Sequence, residues 1–175
     1  MGQSESSSAN SCSSIAPKDE KQKAEPTFVE VMQKRAIDAQ ANHNAVIEAM
    51  LAEDLTETAR IKDVLDCVEI LLKLMVEKAD KGQREFSCEL KSPLFVAAWS
   101  RAHAAYVPGV YYETSFSSRL MQHAQLVAQE FSKRTAIPVL SSDDFDRSYR
   151  NKSGCQTYDK HLHDGYSRVG FRVRY

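Results

Sequence analysis

Glycine is scarce in this chain, six residues in 175, and the scarcity narrows the range of functions. Loops that wrap phosphate groups use glycine where backbone must approach the ligand closely. No Walker-type loop or GxGxxG stretch is present, and HExxH, GxSxG and kinase-like signatures are missing as well. Long apolar runs are also lacking. The greasiest stretch, Val64 to Val76, is interrupted by Asp66, Glu69 and Lys73, short of the roughly 18 apolar residues that cross a bilayer. The four cysteines, Cys12, Cys67, Cys88 and Cys155, form no CxxC pair and follow no apolar signal segment. This argues against a secreted disulfide framework and for a reducing compartment.

What is present describes a folding chain. Apolar residues at 42% and charged residues at 27% match a globular protein, and the length suits one domain. The net charge of −1 conceals an uneven distribution. From Arg147 to Tyr175 seven Lys/Arg face two Asp, leaving 16 Lys/Arg against 22 Asp/Glu in the remainder. Seven serines fall within the first fourteen positions, and residues 1–26 contain no aromatic side chain. Such a segment buries too little apolar surface to offset the entropy of ordering it. The expected organisation is therefore a disordered tail over 1–26 and one globular domain over 27–175.

Helix signals dominate that domain. Thr27 and Glu30 form a capping box that starts a helix running toward Ala52, with a bend or break expected at Asn42-His43-Asn44. Asp54 and Glu57 repeat the capping pattern, and Ile61, Val64, Leu65, Val68, Leu71, Leu72 and Met75 follow at helical spacing, predicting a central helix that ends near Gly82. Phe86, Cys88 and Leu90 alternate as in a short strand. Ser92 and Pro93 start a helix that continues to Ala105, and Ser117 to Lys133 predicts another. Ile137 to Leu140 reads as a brief strand. After a polar loop, Val169, Phe171, Val173 and Tyr175 alternate with Arg168, Gly170, Arg172 and Arg174, paired through an Asp164-Gly165 turn with an incoming strand over Tyr158 to His163. The expected fold class is α+β and predominantly helical: a helical hairpin and two further helices packed on a small antiparallel sheet with a C-terminal hairpin.

Several residues carry possible chemistry. Met1-Gly2-Gln3-Ser4-Glu5-Ser6 fits the N-myristoylation pattern and resembles the N-termini of myristoylated proteins generally. One such chain binds membranes marginally, so a second attraction is required. Cys12 offers a palmitoylation site. Arg168, Arg172 and Arg174, supported by Arg147, Arg150 and Lys152, offer a cationic face for an anionic surface, and a tail of this length reaches roughly 25 to 30 Å. The same arginines alternatively form ion pairs with the acidic remainder of the domain. Tyr149, Tyr158, Tyr166, Phe171 and Tyr175 among the basic residues also permit weak nucleic-acid binding, against which the sequence pI of about 6.5 argues.

Cys155, His161 and His163 form the one local cluster with site chemistry. Cys155 would be a nucleophile activated by either histidine, with Asp159 or Asp164 orienting the ring. A metal there lacks a local fourth ligand, so neither metal nor cofactor is implied. Cys67 and Cys88 read as core residues, and His43, His103 and His123 as helix-surface or satisfied core histidines. The leading expectation is a non-enzymatic adaptor or regulatory protein, cytoplasmic and peripheral on the cytosolic face of a membrane if Gly2 is acylated, that binds an unidentified protein partner. A small enzyme using Cys155, or a nucleic-acid binder using the basic strand, is the alternative.

Overall fold

The computed structural model describes residues 26–110, 115–147, 152–161 and 167–175, leaving aside the side chains of Arg147, Lys160, His161 and Ser167. The first helix, α1 (Phe28–Asp54), begins at the expected capping box: Thr27 Oγ1 accepts from the Glu30 amide at 3.3 Å, and Glu30 Oε2 accepts from the Thr27 amide at 2.6 Å. No break occurs at Asn42-His43-Asn44. A propensity cost of about 0.5 kcal/mol per residue does not interrupt a helix that is capped at Thr27 and anchored by buried Ile47 and Leu51 a turn further on. The second helix, α2 (Glu57–Asp80), is capped by Thr56 rather than Asp54; its hydroxyl accepts from Ala59 N at 3.4 Å. Asp54 instead closes α1 and pairs with Arg101 at 2.9 Å.

Strand β1 (Glu85–Glu89) follows, then α3 (Pro93–Ala104) with Ser92 as N-cap and proline at its start, α4 (Phe116–Thr135), the short α5 (Ser142–Arg147), β2 (Gly154–His161) and β3 (Ser167–Arg174). The fold is predominantly helical α+β with one three-stranded antiparallel sheet in the order β1-β3-β2. The two long helices follow one another directly, yet each finds its main partner elsewhere, α1 on α3 and α2 on α4. Ile137 to Leu140 contributes a single parallel bridge, Val139 to Cys155, in place of a strand. The polar segment after it holds α5, whose Phe145 is buried and lies beneath the guanidinium groups of Arg174 and Arg172.

The alternation in the last strand sorts as expected. Val169, Phe171 and Val173 are buried with Phe86 and Cys155 against α2 and α4, while Arg168 and Arg172 face solvent. Gly170 is required by a close approach, since a Cβ there would stand 2.5 Å from Cys88 O and 2.6 Å from the Tyr158 ring. Strand β3 is central. Leu90 N bonds Val169 O and Tyr175 N bonds Arg84 O, so the even-numbered residues of β1 spend their backbone groups on β3. Glu85, Ser87 and Glu89 consequently turn N–H and C=O away from the sheet, and no described segment hydrogen-bonds to that edge. No helix among the described residues is long and apolar enough to cross a membrane.

Candidate functional site

Among the described residues, two regions hold arrangements that go beyond simple packing: a buried polar cluster where three helices meet, and a groove beside the open edge of β1. The cluster is centred on Asp63, on the face of α2 that also carries Val64, Cys67, Val68 and Leu71 into the core. Its Oδ2 accepts from Ser92 Oγ at 2.6 Å and lies 2.8 Å from His123 Nε2 and 3.5 Å from Cys67 Sγ. Oδ1 accepts from Leu94 N at 3.3 Å, while Ser92 Oγ accepts from Phe95 N at 3.1 Å. The start of α3 is therefore aimed at the carboxylate, where the helix dipole favours a negative charge. Burial alone would raise the Asp63 carboxyl, but hydrogen bonds from His123, Ser92 and the Leu94 amide outweigh it and hold the group below its usual range.

This geometry is not that of a nucleophilic triad, because the carboxylate sits between serine and histidine, whereas a triad needs the imidazole in the middle. Cys67 is no stronger a nucleophile. Burial, then the neighbouring Asp63 charge, pushes its thiol up to about 12. Asp63, Cys67 and His123 place their ligand atoms within 4.8 Å of one another, the one such grouping among the described residues. The donor set fits a metal poorly. A metal-bound imidazole normally donates its second N–H to an acceptor, and His123 Nδ1 has no hydrogen-bond partner among the described residues. With His123 Nε2–H, Ser92 O–H and Leu94 N–H all directed at one carboxylate, the carboxylate is satisfied and acts as a hydrogen-bonded clamp joining α2, α3 and α4.

The groove runs between α2 and β1. It encloses about 610 Å³, with Ile70, Leu74, Cys88, Leu90 and Phe171 along its floor. Lys73, Lys78 and Lys91 stand at its rim and make no salt bridge among the described residues, whereas Glu77 is paired with Lys81 at 2.6 Å and Glu89 with Arg168 at 3.0 Å. The rim is therefore electropositive. Burial pushes the Cys88 thiol up to about 11, so it meets a ligand as a neutral, weakly polar surface. A second cleft of about 530 Å³ opens beside it, over Ser92, Phe95, Phe116 and Leu120.

The residues expected to carry function lie elsewhere. Cys155 is fully buried, and burial pushes its thiol up to about 12. His161 stands six residues further along the same continuous strand, about 20 Å away at 3.3 Å per residue, beyond reach of the sulfur. Asp159 lies between them and is exposed. The strand thus separates Cys155 from His161 and leaves the cysteine in the core. Gly2, Cys12, Arg150, His163 and the Asp164-Gly165 turn lie outside the described residues, and Arg147 is described only in its backbone.

The cationic face is built as ion pairs. Arg168 meets Glu89 at 3.0 Å, Arg174 meets Glu85 at 3.1 Å and Arg172 meets Asp146 at 3.4 Å; Lys152 is exposed. The sequence reading missed the Asp63 cluster and the groove. An acid within the apolar arc of α2 and His123 on the apolar face of α4 were the available signals, but neither names its partner. The chain matches no family model, and no curated protein or solved structure matches it.

Proposed function

We propose that this chain is a non-enzymatic adaptor or regulatory protein that captures an acidic, extended segment of a partner protein along β1. The carrying observation is the coincidence of three features. Outward N–H and C=O groups of Ser87 and Glu89 border an apolar groove, with those of Glu85 continuing the same edge, and three lysines that make no salt bridge among the described residues stand around it. An added strand satisfies such an edge with backbone hydrogen bonds, sends every second side chain into the groove, and leaves the others for the rim. The lysines favour Asp, Glu or phosphorylated residues at those positions.

Membrane attachment through acylated Gly2 belongs to the same proposal and rests on the Met1-Gly2 pattern. The second attraction that one acyl chain needs would come from Cys12 acylation or from the basic C-terminal face. The ion pairs on that face reduce what its arginines offer to anionic lipid. Mass analysis of the N-terminal peptide, with Gly2→Ala as control, tests the tether; an unmodified glycine in a cell expressing the transferase removes it.

The capture of a peptide is tested by selecting random-sequence displayed peptides on the full chain and measuring affinity for Ser87→Pro. Proline at this position removes an amide that β3 does not use, so the fold is retained. Enriched peptides should alternate apolar and acidic residues and bind Ser87→Pro at least about tenfold more weakly, the equivalent of one or two lost backbone bonds. Absence of enrichment, or peptides indifferent to Ser87→Pro, overturns the proposal.

A further inference from the structure

We infer that Ser87 is a phosphorylation site whose phosphate pairs with Arg172, and that this modification closes the β1 edge to acidic partners; the closing rests on the peptide-capture reading, whereas the site itself does not. Register sets Ser87 opposite Arg172 on the outer face of the sheet. The backbone hydrogen bonds between β1 and β3 fall on the even-numbered residues of β1, so Ser87 and Arg172 form a non-hydrogen-bonded pair, the kind that brings facing side chains closest. The neighbouring pairs show what this face selects. Glu85, opposite Arg174, meets it at 3.1 Å, and Glu89 reaches Arg168 on the diagonal at 3.0 Å. Acid on β1 thus meets arginine on β3 before and after Ser87, while the pair between them sets a hydroxyl against a guanidinium. Arg172 turns instead to Asp146 at 3.4 Å, a carboxylate whose side chain is 66% exposed, where an ion pair contributes little.

Ser87 is also open to modification. It is exposed, and its hydroxyl makes no hydrogen bond among the described residues, whereas those of Ser92 and Ser115 are held by Asp63 and Glu48, each at 2.6 Å. Its strand is extended with outward backbone groups, the form in which a peptide is gripped through its main chain. A protein kinase with a nucleoside triphosphate supplies the group. Ser87 Oγ bonds to the γ-phosphorus, the bond from that phosphorus to the bridging oxygen breaks, its electron pair leaves with the nucleoside diphosphate, and the hydroxyl proton passes to a carboxylate of the kinase. The product carries close to two negative charges at neutral pH and three acceptor oxygens, facing a donor fork that suits them. Like charges directly across a sheet repel, so the phosphate opposes an acid on the added strand and the modified edge rejects the segment that the bare edge takes.

Three measurements on the full chain test this. Phosphopeptide mapping of the chain recovered from the cells that make it, with phosphatases blocked, should find phosphate on Ser87 and none at that position in Ser87→Ala. In chain made with phosphoserine incorporated at position 87, the second phosphate pKa, ordinarily near 6, should be followed by phosphorus NMR. It should lie at least about half a unit lower than in the same chain with Arg172→Gln. The phosphorylated chain should bind the selected acidic peptides at least about tenfold more weakly than the unmodified chain. A Ser87 that carries no phosphate in its own cells, a titration indifferent to Arg172→Gln, or peptides that bind both forms equally overturns the inference. Peptides that fail to bind the unmodified chain overturn the β1 reading instead, and with it the closing of that edge, while the mapping and the titration still decide whether Ser87 is the site.

Discussion

His123 Nε2 stands 2.8 Å from Asp63 Oδ2 across 60 positions of sequence, with both side chains buried. This contact, with the Ser92 hydroxyl 2.6 Å from the same oxygen, joins α2, the start of α3 and α4 through one carboxylate. Asp63→Ala leaves a serine hydroxyl, an imidazole N–H and the Leu94 amide without their acceptor. It should cost about 3 to 5 kcal/mol in urea unfolding, whereas Cys67→Ala, whose thiol is a weak donor 3.5 Å away, should cost less than about 2 kcal/mol.

The same carboxylate makes stability depend on acid. Its folded pKa is depressed, burial being outweighed by hydrogen bonds from His123, Ser92 and Leu94. Its contribution is thus fully present above the unfolded value near 4 and is lost as pH falls through the lower folded value. The stability gap between the natural chain and Asp63→Asn should be constant from about pH 7 to 5 and narrow below about pH 4. A gap that widens on acidification would contradict the assignment of an ionised Asp63.

Thiol chemistry provides a separate check on the core. Burial first, then neighbouring charge, pushes Cys67 and Cys155 to about 12, and both are buried. Peptide-resolved alkylation at pH 7.5 should modify them on the timescale of unfolding, then completely in denaturant. Rapid labelling of Cys155 in the native chain would support the nucleophile reading and contradict its place beneath the sheet.

Local regularities were readable from the residues because they are local. The Thr27–Glu30 capping box, the Ser92-Pro93 helix start and the alternation of Val169, Phe171 and Val173 each follow from a few adjacent side chains. The edge position of β1 was not readable, since it depends on Glu85 pairing with Arg174 across most of the domain. Phe145 was hidden for the opposite reason: one aromatic in a six-residue polar helix produces no period. The Asp63–His123 contact combines both difficulties. Periodicity places each residue on an inward face but carries no information about which polar group it will meet there.

Sheet packing can be probed at Gly170, which lies beneath the Tyr158 ring and close to Cys88 O. Gly170→Ala forces the ring or β1 to move and should cost about 1 to 3 kcal/mol by thermal or urea unfolding. Truncating the aromatic in the Tyr158→Ala, Gly170→Ala double variant should recover only part of that cost, because the Cys88 carbonyl still opposes the new methyl. Full recovery would mean that the ring alone sets the spacing.

Residue-resolved amide exchange on the full chain tests the β1 edge most directly. In the free protein the amides of Glu85, Ser87 and Glu89 should exchange far faster than those of Phe86 and Cys88, which face β3. Saturation with a selected acidic peptide should slow the Ser87 and Glu89 amides at least about tenfold. A peptide that binds while these amides keep their free exchange rates, with protection appearing elsewhere, would contradict strand addition as the mode of recognition.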